Sequence, residues 1–126
     1  MRFFIDNNLS LHLAKGMKEF GEDVIHLTEK FQPATNDEIW LEFVGKNGFV
    51  LITRDERIRW NPAERAAFRK YKVGAFFLGG KNLTRCQLIQ QLVRNWPKVK
   101  NTAAKETRPF AFRIPPSGAK FSYIPI

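Results

Sequence analysis

The chain offers almost no sulfur or imidazole for chemistry: one cysteine, Cys86, and two histidines, His12 and His26, in 126 residues. A lone cysteine excludes an internal disulfide and a cysteine-based zinc site, and the scattered histidines lack metal-ligand spacing. Any bound metal must then be held by carboxylates. No run approaches the roughly 18 to 20 apolar residues of a membrane helix, and Asp6 interrupts the opening apolar run too early for a signal peptide. The expectation is a cytoplasmic protein with no membrane partner. Repeats and low-complexity tracts are missing as well, and a 44% hydrophobic composition suits one globular domain.

Acidic residues are also scarce in one half. Residues 57–126 hold 15 Lys/Arg against 2 Asp/Glu, net +13, whereas residues 1–56 hold 6 against 10, net −4. An anion-attracting segment beside a carboxylate-bearing one suits a phosphate backbone held near bound cations. Nucleic acid is the partner this pattern favours, with a soluble basic tail or an acidic protein partner as the plainer alternatives.

Short apolar runs alternate with helical patterns. Arg2–Ile5 reads as a buried strand ending in the turn formers Asp6-Asn7-Asn8, and Leu9, Leu13, Met17 and Phe20 recur at helical spacing up to Gly21. Asp23–Leu27 is a second strand. Thr35-Asn36-Asp37-Glu38 has the form of a capping box opening a helix that ends at Asn47-Gly48. Phe49–Ile52 is the strongest strand and runs into Thr53-Arg54-Asp55. Asn61-Pro62 caps a helix over 62–71 that displays Arg65 and Arg69, and Val73–Leu78 is strand four. A helix over 84–96, marked by Leu88, Ile89, Leu92, Val93 and Trp96, is expected to stop near Pro97. Residues 98–108 then read as a basic arm, followed by a hairpin of Pro109–Ile114, the turn Pro115-Pro116-Ser117-Gly118, and Phe121–Ile124. The alternation predicts an α/β fold with a mainly parallel sheet covered on both faces, its core over about 1–97 and the arm and hairpin over 98–126.

Asp6 and Asp55 are predicted at carboxyl ends of strands, where open parallel sheets bind ligands, and Asp37 at a helix start, so the three are candidates to converge. Oxygen donors of this kind suit Mg²⁺ or Mn²⁺, which take a few carboxylates and fill other positions with water and substrate phosphate. The plain alternatives are turn formation for Asp6 and Asp55 and helix-dipole support for Asp37 and Glu38. Thr53 is placed to steady Asp55 through its hydroxyl. Asn7 and Asn8 serve either the turn or a phosphate. Arg54, Arg57 and Arg59, with Arg65 and Arg69, are the candidate RNA contacts, and Trp60 either stacks on a base or fills an apolar pocket.

Phe3-Phe4-Ile5-Asp6-Asn7-Asn8-Leu9, Asn36-Asp37-Glu38-Ile39 and Val50-Leu51-Ile52-Thr53-Arg54-Asp55 resemble the successive motifs of PIN-like nucleases, the fold shared by VapC-type toxins of toxin-antitoxin pairs. The match covers roughly residues 1–80. The resemblance implies a three-layer α/β/α (Rossmann-like) fold, Mg²⁺- or Mn²⁺-dependent cleavage of single-stranded RNA, inhibition by a cognate antitoxin, and metal-binding, catalytic roles for Asp6, Asp37 and Asp55. A further acid common in such domains finds no match, since Gly21–Pro33 offers only Glu22, Asp23 and Glu29. A homodimer stays open as the assembly. The competing readings are a non-catalytic RNA- or antitoxin-binding module and a receiver-type signalling domain. The latter fits less well, because Asn7-Asn8 stand where it needs an acid and Gly79-Gly80 where it needs a hydroxyl.

Overall fold

A computed structural model describes residues 1–117 and 120–126. Among these, the strands are β1 (Arg2–Ile5), β2 (Asp23–His26), β3 (Phe49–Thr53), β4 (Gly74–Leu78), β5 (Phe110–Ile114) and β6 (Ser122–Tyr123). The helices are α1 (Leu11–Glu19), α2 (Asp37–Lys46), α3 (Arg57–Trp60), α4 (Pro62–Lys70) and α5 (Arg85–Lys105). The strands form one sheet in the order β2-β1-β3-β4-β5-β6, parallel except for the last pair. The expected closing hairpin is therefore present as β5–β6, with the Gly118 end of its turn outside the described residues.

The alternation of side chains along a strand divides the core in two. Phe3, Ile5, Val50, Ile52 and Phe76 face Leu13 and Met17 of α1 and Leu92 and Val99 of α5. Phe4, Leu51, Ala75 and Phe77 face Trp40, Leu41 and Val44 of α2 and Phe68 of α4. Burial on both faces explains why β3 and β4 read as unbroken apolar runs. The result is the expected three-layer α/β/α arrangement. Gly45 brings α2 against the start of the α4–β4 connection, for a Cβ there would overlap the Tyr71 carbonyl.

Three local expectations are corrected. Helix α5 does not stop at Pro97 but runs through it to Lys105, so most of the expected basic arm is helix. A proline inside a helix forfeits the bond to the carbonyl four residues back, here that of Val93, which is 59% exposed. That face meets solvent, while Leu92, Asn95, Val99 and Ala103 continue a buried stripe on the other, which outweighs the lost bond. The Thr35–Glu38 capping box does not form. The Thr35 N–H is held by the Gln32 carbonyl in a turn, and α2 starts after Asn36 without a side-chain cap, its first turn favoured instead by Asp37 and Glu38. The one-turn helix α3 was not expected at all.

Candidate active site

The carboxyl edge of the sheet brings the three predicted acids to one cavity of about 230 Å³, lined by Asp6, Asn7, Asp37, Trp40, Asp55 and Arg57 among others. Asp6 follows β1 and is fixed to β3 through its N–H, which donates to the Ile52 carbonyl at 3.0 Å. Its side chain is only 6% exposed. One carboxylate oxygen accepts from the Asn7 N–H at 2.6 Å, the other from the Thr53 hydroxyl at 2.7 Å. Burial pushes the Asp6 carboxyl above its ordinary value. The bonds from Thr53 and Asn7 oppose this, and the negative charges of Asp37 and Asp55 add to it.

The Thr53 hydroxyl is the hub of the site, though not as expected. It donates to Asp6 and accepts from the backbone N–H of Asp55 at 2.9 Å, leaving the Asp55 carboxylate to another partner. Asn8 closes the network: its amide nitrogen lies 3.2 Å from the Thr53 hydroxyl, and its oxygen accepts from the Arg54 N–H at 3.2 Å. The loop carrying these residues is anchored from below by His26, which is buried. Its Nδ1 accepts from the Thr28 N–H at 3.2 Å and its Nε2 lies 2.7 Å from the Leu9 carbonyl. A proton on Nε2 satisfies both.

Asp55 is held by Arg57. The guanidinium meets both carboxylate oxygens, at 2.9 Å from Nε and 2.7 Å from the terminal nitrogen, and the Arg57 N–H adds a third bond at 2.9 Å. Burial pushes Asp55 up, but these bonds and the charge of Arg57 outweigh it and hold the carboxyl below its ordinary value. Arg57, expected to meet RNA, thus spends its fork within the chain. Arg59 likewise pairs with Glu56 at 2.8 Å and lies over the ring of Trp60, which is 68% exposed rather than seated in a pocket. Arg65 and Arg69 sit on α4, Arg65 half-buried with its Nε unpartnered and Arg69 exposed.

Asp37, the first residue of α2, accepts from the buried Trp40 indole N–H at 3.0 Å through one oxygen. Its other oxygen is buried and meets no N–H or hydroxyl donor, only the carboxyl of Glu64. Glu38, expected as a supporting residue, instead lines a separate cavity with Glu42 and Ala63.

Sequence reasoning missed Glu64. It stands in the first turn of α4, where the Asn61 side chain caps the helix by accepting from the Ala63 and Glu64 N–H groups. Burial, a hydrogen bond with Asp37 and the charges of Asp37 and Asp55 push its carboxyl up to about 7, against a smaller opposing effect of Arg57. The signal was available: an acid in the first turn of a capped helix is the same feature that marked Asp37.

Among the described residues, no three His, Cys, Asp or Glu side chains stand close enough to hold an ion as they are. The ion pair with Arg57 accounts for Asp55. The donor set nevertheless suits a hard cation, being all oxygen, with the carboxyls of Asp37 and Glu64 bonded to each other only while a proton lies between them.

No curated protein and no solved structure matches the chain. A family model described as "PIN like domain" does match, over residues 1–80, which include Asp6, Asp37, Asp55 and Glu64. With that match and its α/β/α architecture, the chain belongs to the PIN-like domain family.

Proposed function

We propose that the protein is a Mg²⁺- or Mn²⁺-dependent endoribonuclease acting on single-stranded RNA. PIN domains are generally nucleases and typically use divalent metals, so a nuclease-type module is the coarse assignment. The observation that carries the finer one is the convergence of Asp6, Asp37 and Asp55 on one cavity, with the Glu64 carboxyl against Asp37. Carboxylates gathered so closely repel one another when ionised, and a cation in that cavity removes the cost.

Asp6, Asp37 and Asp55 would hold the ion, with Glu64 at its margin. A divalent ion, once bound, lowers the proton affinity of an attacking water and offsets negative charge at the phosphate. Asp6 is the fixed point, since Thr53 and Asn7 immobilise both its oxygens. Asp55 is the adjustable one, since it would have to give up the Arg57 guanidinium to serve as a ligand. Glu64, its carboxyl raised to about 7, is partly protonated near neutrality, which limits its repulsion with Asp37.

The toxin role in a type II toxin-antitoxin pair, with a cognate antitoxin protein as partner, is supported by the likeness of the three motifs to VapC-type toxins. A second reading, a non-catalytic RNA- or antitoxin-binding module, is favoured by one observation: Arg57 neutralises Asp55 without any metal. Cleavage of mixed single-stranded RNA separates them, run with Mg²⁺ or Mn²⁺ and with EDTA, on the wild type, Asp6→Asn and Asp55→Asn. Cleavage that needs the metal and both acids supports the nuclease. Bound but uncut RNA, unaffected by either substitution, supports the module.

A further inference from the structure

Beside the acidic cavity, over the carboxyl ends of β3, β4 and β5, lies a second one of about 280 Å³ with the opposite character. Arg54, Lys81 and Arg113 line it, together with Gly79, Gly80 and a single carboxylate, Glu56. That carboxylate is already held by Arg59 at 2.8 Å and reaches Arg113 only at 3.8 Å. Among the described residues, neither Arg54 nor Lys81 is in an ion pair. Three cations against one shared anion leave the basin positive.

The sheet fixes where these charges stand. Thr53 pairs with Phe77, and Phe77 with Arg113, so Thr53 and Arg113 occupy one row of the sheet, two strands apart. Two strand spacings are roughly 10 Å. Thr53 is the residue whose hydroxyl holds Asp6, and Arg54 follows it directly, its N–H bonded to Asn8. The basin is thus continuous with the acidic site through one turn. Gly79 leaves room for Arg113: an ideal Cβ there would lie 2.5 Å from its Nε, so the guanidinium lies across the end of β4 where a larger residue would push it aside. A planar fork beside a lysine and a second arginine suits phosphate oxygens.

We propose that Arg54, Lys81 and Arg113 form a backbone-phosphate subsite that grips the RNA strand on one side of the scissile position. This rests on the reading that the acidic cavity receives an RNA strand. The subsite reads no base, so it sets the direction and register of the strand across the sheet edge rather than its sequence. Arg54 joins the two cavities, and Lys81 and Arg113 take the next phosphates.

The test is the salt dependence of binding of a labelled single-stranded RNA to the full chain in EDTA, where cleavage is silent. Lys81→Gln and Arg113→Gln are compared with Lys105→Gln, an exposed site at the far end of α5. Each lost phosphate contact should lower the magnitude of the log–log slope by about 0.7. Lys81→Gln and Arg113→Gln should each do so, with Lys105→Gln at the wild-type value. Unchanged slopes for Lys81→Gln and Arg113→Gln, or an equal fall for Lys105→Gln, would overturn the subsite. Displacement of RNA by inorganic phosphate beyond that caused by chloride at equal ionic strength would make the basin a small-anion site and overturn it too. Metal-dependent cleavage by the same preparations is scored separately. Altered slopes without wild-type cleavage retain the subsite and reject the nuclease, and cleavage with unaltered slopes does the reverse.

Discussion

Two cavities share the carboxyl edge of one sheet yet differ in sign. The one over β1, β3 and the start of α2 gathers Asp6, Asp37 and Asp55, with Glu64 of α4 against Asp37; the one over β3, β4 and β5 gathers Arg54, Lys81 and Arg113. The change of sign falls within the turn from Thr53 to Glu56. Charge segregation along the chain is thereby converted into segregation along an edge, because strand order places the acidic N-terminal strands on one side and the basic C-terminal ones on the other. A negatively charged strand of nucleic acid can be repelled by the first cavity and held by the second, and a divalent ion removes the repulsion. The comparison is sharpened by perturbing each cavity alone.

The largest effect is expected from Asp6→Asn. Loss of an immobilised ligand should reduce metal-dependent cleavage by at least about 100-fold, a loss on the scale of disrupting metal-site partners. Melting temperature should hold or rise, because burial disfavours the charged form that the substitution removes. A fold lost with the activity would make Asp6 a structural residue instead.

Thr53→Val comes next. The side chains are similar in shape, so what is lost is the hydroxyl that donates to Asp6 and accepts from the Asp55 N–H. Leaving two buried groups short of a partner should destabilise the fold by about 1–3 kcal/mol, read from denaturant midpoints, and lower cleavage roughly tenfold. Unchanged stability would remove Thr53 from its place as hub.

Arg57→Gln should act in the opposite sense. The guanidinium competes with a cation for Asp55, and its side chain is largely exposed, so solvent screens the pair and its release costs little. The Mg²⁺ concentration for half-maximal cleavage should fall a few-fold at most. A rise in that requirement would mean that Arg57 serves the bound state.

Much of this was legible before the fold was seen. Asp6 and Asp55 follow apolar runs, and a carboxylate at that position must leave the strand, so alternation of strand and helix was enough to send both to the carboxyl edge. Arg54 was legible as a cation but not as the link between cavities, which depends on strand order. The pairing of Arg57 with Asp55 and of Arg59 with Glu56 was not legible, because charge alone does not say whether an arginine will find an acid two or three residues away. Thr53 was assigned the wrong carboxylate for a related reason: its bond to Asp6 joins residues 47 apart in sequence, through pairing of β1 with β3. The continuation of α5 through Pro97 was hidden because a proline penalty is local, whereas the burial of Val99 and Ala103 that outweighs it is tertiary. Lys81 and Arg113, 32 positions apart, carried no motif at all; a parallel register made them neighbours.

The smallest expected effect concerns Glu64, which the motifs passed over. Its carboxyl is raised to about 7 in the folded protein, from 4.5. Between those values the folded chain binds more protons than the unfolded one, so stability falls as pH rises through the window and levels off above 7. Asp6, also raised, contributes in the same sense. In metal-free buffer the melting temperature should therefore drop by a few degrees between pH 5 and 7.5, and Glu64→Gln should flatten the drop, groups common to both proteins cancelling in the difference. Glu64 is half-buried, so solvent reduces the effect below what its shift alone would give. Mg²⁺ should restore stability at pH 7.5 more than at pH 5, since a cation competes with the proton for the same carboxylates. Parallel melting curves for wild type and Glu64→Gln would detach Glu64 from the acidic cavity and leave three carboxylates to hold the ion.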